Sequence, residues 1–124
     1  MPLSLDFSSE QPIYLQIRNQ IVVAIAGGAL KHGDQLPTIR ALAAESGINM
    51  MTVSKAYQTL RQEGFITTDR RSGTVVLGQE KKEQPLSQQA LSQLKVIIAE
   101  AKLAGVSRDS LLALCGAYFD KTEV

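Results

Sequence analysis

Residues 36–76 read LPTIRALAAESGINMMTVSKAYQTLRQEGFITTDRRSGTVV, and the reading of that stretch decides the fold. Thr38, following Pro37, is the N-cap of a helix that runs to Glu45 with Ile39, Leu42 and Ala43 facing inward. Ser46-Gly47 breaks it, since a tight turn needs a residue that tolerates an unusual backbone angle. Asn49 caps the next helix, which runs to about Glu63. Its buried stripe is Val53, Ala56, Tyr57 and Leu60, and Thr52, Ser54, Lys55, Gln58 and Gln62 fall mostly outside it. Gly64 ends that helix. Phe65–Thr68 and Thr74–Leu77 then read as two strands around the turn Asp69-Arg70-Arg71-Ser72-Gly73.

Upstream, residues 1–11 form an extended leader, and Pro12 suits the first turn of a helix because its missing N–H costs nothing there. From Ile13 to about Ala26, Tyr14, Ile17, Ile21, Ala24 and Ile25 keep helical spacing, and Ile13, Val22 and Val23 broaden the stripe. So apolar a helix must be covered on more than one side. Gly27-Gly28 ends it, and a Gly33-Asp34 turn follows.

Downstream, the polar stretch from Gly78 to Pro85 is the one clear linker. A helix over Leu86–Leu103 carries Ala90, Leu91, Leu94, Ile97, Ile98 and Ala101 on one face. After Ala104-Gly105, Ser107 caps another, with Leu111, Leu114, Cys115 and Tyr118 at helical spacing. The fold class is therefore α+β, mostly α. A helix-turn-helix with its hairpin, over residues 1–78, is joined by a linker, 79–85, to a two-helix tail over 86–124.

At 124 residues with 44% hydrophobic content, the chain is sized for one packed unit and a small appendage. No apolar run approaches the roughly 18 residues of a membrane span, and no charged-then-apolar signal opens the chain. One cysteine, Cys115, makes no internal disulfide. Those features together place the protein in the cytoplasm, without a membrane partner. Net charge is only +1, so the whole-chain balance does not announce nucleic acid. The distribution says more. Lys31, Arg40, Lys55, Arg61, Arg70 and Arg71 lie within or beside the opening stretch, diluted by Asp34, Glu45, Glu63 and Asp69.

A short capped helix beside a basic hairpin suits a DNA groove and its flanking phosphates. The amino-terminal turn of the second helix would enter the major groove, which sets Asn49, Met50, Met51 and Thr52 toward base edges. Asn can pair bidentately with adenine, and an apolar side chain can touch a thymine methyl. Two consecutive methionines beside a cap do not fit the core, because Val53, Ala56 and Tyr57 already define the buried face. A plain helical hairpin with one methionine folded inward is the competing reading. The paired guanidiniums of Arg70 and Arg71 suit phosphates or a narrow minor groove. Arg40 has two readings of equal weight, a backbone contact or a surface salt bridge.

His32, the single histidine, lacks any partner at metal-binding spacing, so no metal or other cofactor is expected. Cys115 reads as a buried small hydrophobe on an apolar stripe, without the basic neighbours of a redox sensor. There is no phosphate loop and no nucleophile elbow, and nothing points to an enzyme.

Pro12 to Val76 resembles the winged-helix domain of the GntR family of bacterial transcription regulators. The matching pieces are Pro12-Ile13-Tyr14-x-Gln16-Ile17, Gly33-Asp34-x-Leu36-Pro37-Thr38-x-Arg40-x-Leu42-Ala43, Thr52-Val53-Ser54-Lys55-Ala56-Tyr57-x-x-Leu60, Glu63-Gly64-Phe65-Ile66 and Gly73-Thr74-Val75-Val76. The short tail is similar to the YtrA-type subfamily, in which the tail makes the dimer and no large effector domain is present. That resemblance implies DNA contacts at Arg40, Asn49, Thr52, Ser54 and the wing residues Arg71, Ser72 and Gly73. The residue reading adds Met50, Met51, Lys55 and Arg70. The chain departs from the family where Met50 replaces a frequent Arg and where Arg71 replaces the first glycine of the usual Gly-x-Gly-Thr wing.

Two amphipathic helices of this length bury too little apolar surface alone. Leu91, Leu94, Ile98, Leu111, Leu114 and Tyr118 are therefore expected at a homodimer interface. A two-fold dimer would set two recognition helices roughly 34 Å or more apart and call for a palindromic double-stranded DNA operator. The implied function is a repressor, with transporter genes as targets suggested by the resemblance. An effector, if there is one, would bind between subunits or between tail and winged helix. The competing class is a winged helix used for protein–protein interaction without an operator of its own.

Overall fold

Gly47 makes the turn on which the first unit is built. Its φ of +68° lies in the left-handed region, where a side chain would be strained, and it closes α2 (Ile39–Ser46). Thr38 Oγ1 accepts the Ala41 N–H at 3.0 Å to cap α2, and Asn49 Oδ1 accepts the Met51 N–H at 2.7 Å to cap α3 (Met50–Gln62). Both caps were legible from residue type. The computed structural model describes residues 1, 3–78 and 84–121. They fall into two units, within Met1–Gln79 and within Glu80–Thr122.

In the first unit, α1 (Ile13–Ala26) packs on α3, and α2 packs on α3 from the other side of the turn. The core is Ile17, Ile21, Leu36, Leu42, Ala43, Val53, Ala56, Tyr57, Leu60, Ile66 and Val76. Each large side chain removed from water there stabilises the unit by about 1.5–3 kcal/mol before entropy is counted. Pro12 is the flanking N-cap of α1, one position outside the first turn expected for it. Val23 is exposed, so the stripe on α1 is narrower than its apolar content suggests.

The leader is held by two amides one helical turn apart. Gln16, the one buried polar residue of this core, accepts the Asp6 N–H at 2.8 Å and donates to the Asp6 and Gln11 carbonyls at 2.9 Å. Gln20 accepts the Ser4 N–H at 2.9 Å and donates back to the Ser4 carbonyl at 2.6 Å. A glutamine carboxamide can satisfy a backbone donor and an acceptor together, which fastens the leader to α1, although residues 7–11 turn and bend instead of extending.

The strands are β1 (Ile66–Asp69) and β2 (Gly73–Val76), antiparallel, with Ile66 opposite Val76 and Asp69 opposite Gly73. Gly73 therefore opens β2 rather than sitting in the turn, which shrinks to Arg70-Arg71-Ser72. The segment before α2 adds a third pairing that residue patterning missed: Gln35 bridges Val75, the Leu36 N–H donates to Thr74 at 2.8 Å, and the Gly33 N–H donates to Val76 at 2.8 Å. β2 is thus paired on both sides, with β1 along one edge and residues 33–36 along the other.

The second unit holds α4 (Gln88–Leu103) and α5 (Arg108–Asp120). Ser87 Oγ accepts the Ala90 N–H at 3.1 Å, so α4 starts two residues later than the apolar pattern from Leu86 suggests. Ser107 caps α5 as expected, accepting the Ser110 N–H at 3.1 Å. Neither helix buries a single residue. Cys115, expected to be buried, is exposed, because in one chain its apolar stripe has nothing to pack against. Of the expected linker, residues 79–83 lie outside the described residues, and Gln84 and Pro85 are exposed and non-helical.

Candidate nucleic-acid interface

The first turn of α3 is the most exposed part of that helix. Met51 is 79% exposed and Met50 45%, whereas Val53, Ala56, Tyr57 and Leu60 are fully buried. The inward-folded methionine of the competing reading is not what the chain adopts. Thr52 and Ser54 are half-buried beside them, and Asn49 is exposed with its oxygen holding the cap. No carboxylate occupies this turn. Lys55 extends from the next turn, and its ammonium lies 4.1 Å from the centre of the Tyr14 ring, a cation–π contact that draws the side chain toward α1.

The angle between α2 and α3 is pinned from within. Tyr57 has no exposed surface, and its hydroxyl donates to the Pro37 carbonyl at 2.8 Å. Burial raises the phenol from 10.0 to about 12, since the charged phenolate is disfavoured away from water. This one side chain ties α3 to the residue that precedes the N-cap of α2.

At the hairpin tip Arg70, Arg71 and Ser72 are all exposed. Asp69, which dilutes the basic charge on paper, is used by the turn itself: its Oδ1 accepts the Arg71 N–H at 2.9 Å. Gln35 Nε2 donates to the Ser72 carbonyl at 3.1 Å, and a Cβ added to Gly73 would meet the same Nε2 at 3.4 Å. Ser72 and Gly73 therefore shape the wing, with Arg70 and Arg71 as its projecting charges. Gln35 had no signal of its own in the sequence beyond its place just before Leu36. Arg61, counted among the basic residues, donates to Thr68 Oγ1 at 3.1 Å and braces β1 instead.

Among the described residues the ion pairs are Arg18–Glu63 at 2.6 Å, Arg108–Asp109 at 3.9 Å and the amino terminus with Glu45 at 3.2 Å. Arg40, Lys55, Arg70 and Arg71 belong to none of them. Of the two readings of Arg40, the salt bridge is not formed among the described residues. Exposed guanidiniums without a carboxylate partner keep their full charge for an anionic ligand such as a phosphate. His32 is structural, its Nδ1 accepting the Gly78 N–H at 2.8 Å. No cluster of His, Cys, Asp and Glu among the described residues could hold a metal ion.

Helix, turn, helix and paired wing in this order match a known set of proteins. Residues 13–76 match the bacterial regulatory proteins of the gntR family. The chain belongs to the GntR family. It is 38% identical over 111 residues to the HTH-type transcriptional repressor YtrA of Bacillus subtilis strain 168, an alignment covering 88% of this chain and 85% of YtrA. A solved structure of a transcriptional antiterminator from Listeria monocytogenes EGD-e covers 100% of this chain, with 94% of its own length matched, a TM-score of 0.84 and 30% identity. The AraR DNA-binding domain, crystallised in complex with operator ORR3, matches with a TM-score of 0.50 and 28% identity, covering 61% of this chain and 89% of that one. As a GntR member of YtrA-like type, the chain is a DNA-binding transcription regulator with a winged-helix fold, not an enzyme. No helix among its described residues is long and apolar enough to cross a membrane.

On the GntR scaffold, the tail residues Leu91, Leu94, Ile98, Leu114 and Tyr118 are all exposed and Leu111 is half-buried. Ile97, on the expected face of α4, is exposed as well, and Val96, Leu112 and Phe119 add exposed apolar surface that helical spacing did not single out.

Proposed function

We propose that this GntR regulator acts as a cytoplasmic homodimer on a palindromic operator and represses transcription by occupying promoter DNA. In this reading residues 1–78 read the DNA, 79–85 link, and 86–124 dimerise. The observation that carries it is the contrast between α3 and the tail: the first turn of α3 is exposed in a unit whose Arg40, Arg70 and Arg71 pair with no carboxylate among the described residues, and two capped helices expose apolar residues and bury none. Contiguous exposed apolar surface on this scale marks an interaction site. A second copy fits it, because like faces are self-complementary about a two-fold axis. Control of transporter genes is the regulatory role the family likeness suggests, and the name of the repressor YtrA supports repression over activation.

The test is selection of bound sequences from random double-stranded DNA, followed by titration against salt. Two half-sites related by two-fold symmetry are expected, with centres roughly 34 Å or a multiple apart. The logarithm of affinity should fall linearly with the logarithm of salt concentration, in proportion to the phosphates neutralised. Selection of single, unpaired sites would remove the palindrome and the dimer. Absence of binding at low salt would leave the chain as a protein-interaction module.

A further inference from the structure

We propose that the operator half-site presents thymine methyl groups to Met50 and Met51, and that Asn49 positions the helix rather than reading adenine. The inference rests on the operator-binding reading above and specifies what that site recognises.

The first turn of α3 lacks the charged readers of guanine and cytosine, and its one hydroxyl, on half-buried Thr52, can bond more than one base. Guanine is read by an Arg or Lys reaching O6 and N7, and cytosine by a carboxylate accepting from N4. No acidic residue lies in this turn, and no arginine occurs on α3 before Arg61, which braces β1. Lys55 rests over Tyr14 at 4.1 Å, and a reach to a base edge would give up that contact. Adenine needs both ends of an Asn or Gln carboxamide, the oxygen accepting from N6 and the nitrogen donating to N7. Asn49 Oδ1 already accepts the Met51 N–H at 2.7 Å, so bidentate pairing competes with the cap that starts the helix.

What the turn does present is two adjacent thioether side chains, 45% and 79% exposed. The apolar feature of the major groove is the thymine C5-methyl. Methionine is unbranched and polarisable, so it can adapt to methyl groups at slightly different depths. The surrounding charge fits the same occupant, since Arg40, Arg70 and Arg71 have no carboxylate partner among the described residues. A protein partner with an apolar face would meet those cations with nothing to neutralise them; DNA supplies phosphates.

The experiment starts from the selected operator and replaces each thymine singly with deoxyuridine, which removes the methyl and leaves the hydrogen-bonding edge intact. Affinity is read by fluorescence anisotropy at fixed salt. One or two positions in each half-site should weaken about fourfold, the order expected for one buried methyl-sized group. Met50→Ala and Met51→Ala should each abolish the sensitivity at one of those positions, with circular dichroism showing unchanged folding. Selection repeated with Asn49→Ser, which retains a capping oxygen but no amide, should return the same base preferences. The proposal is overturned if deoxyuridine is silent at every position, if the methionine variants remain as sensitive as the parent, or if the serine variant loses an adenine preference. Failure to bind any DNA would defeat the operator reading as well, whereas binding without methyl sensitivity defeats only this inference.

Discussion

The two units of this chain meet the same requirement in opposite ways. The winged helix buries eleven hydrophobic residues in its own core and leaves exposed, on α3, only the two methionines of the first turn. The tail has capped helices of ordinary length and buries none. The local signals are equally good in both: Thr38 and Asn49 cap one unit, Ser87 and Ser107 the other. Caps and periodicity therefore make helices, but only long-range partners make a core. A helix pair with good caps and no core leaves its apolar faces without a partner in the chain, which is what the dimer proposal sets out to explain.

The sharpest way to break that contrast is to charge the tail. If the tail pairs with a second copy as proposed, Leu94→Glu or Leu114→Glu would bury a carboxylate without a partner. Sedimentation should show monomers, and operator affinity should drop by about a hundredfold to ten-thousandfold as bivalent attachment is lost. A monomer that binds the full operator as tightly as the parent would separate the tail from DNA binding altogether.

Removing core from the other unit should act differently. Leu60→Ala leaves a cavity where α3 meets the core and should cost about 2–5 kcal/mol of winged-helix stability. Urea titration should return that loss at any protein concentration. Stability of the tail, in contrast, should rise with concentration, because it is linked to association. If both units respond to concentration, the winged helix is not the self-sufficient unit its core implies.

Tyr57 offers a smaller, pH-dependent version of the same comparison. Its phenol is raised from 10.0 to about 12 by burial, so the folded unit holds the proton more tightly than the unfolded chain. The contribution is complete below pH 10 and is lost as pH climbs toward about 12, at up to about 1.4 kcal/mol per pH unit. Among its described residues the tail carries no buried titratable group. Subtracting a Tyr57→Phe variant from the parent across pH 9–12 isolates the effect, and parallel curves would show that the phenol does not govern it.

Helix positions, caps and the winged-helix core could be read from residue type, because local chemistry and a 3.6-residue period act at short range. Met50 and Met51 were legible as non-core for the same reason: Val53, Ala56 and Tyr57 had already filled the inward face. Contacts across the fold were not legible. The bridge from Gln35 to Val75, the brace from Gln35 to Ser72, the clamp of the leader by Gln16 and Gln20, and the rest of Lys55 on Tyr14 all join residues far apart in sequence. Two of them involve site residues, the brace that shapes Ser72 and the ring that holds Lys55. Asp69 looked like charge opposing the wing and is its turn-former. Cys115 looked buried because a stripe on a helix implies a neighbour, and within one chain that neighbour is absent.

The mildest perturbation compares one cap from each unit. Asn49→Ala removes the acceptor of the Met51 N–H and should cost about 1 kcal/mol, the usual worth of an N-cap. Because α3 is locked to the core through Val53, Ala56, Tyr57 and Leu60, the helix should persist, with only its first turn loosened. Ser107→Ala removes the corresponding acceptor on α5, a helix with no core of its own. Hydrogen exchange separates the two: protection should fall only at residues 50–52 in the first variant, but along all of α5 in the second at concentrations too low for association. Equal, local losses in both would mean that α5 is held by something more than its own turns. The loosened first turn of α3 carries Met50 and Met51, so Asn49→Ala should also weaken DNA binding. Asn49→Ser restores the cap and should recover it, which ties groove recognition to the order of that turn.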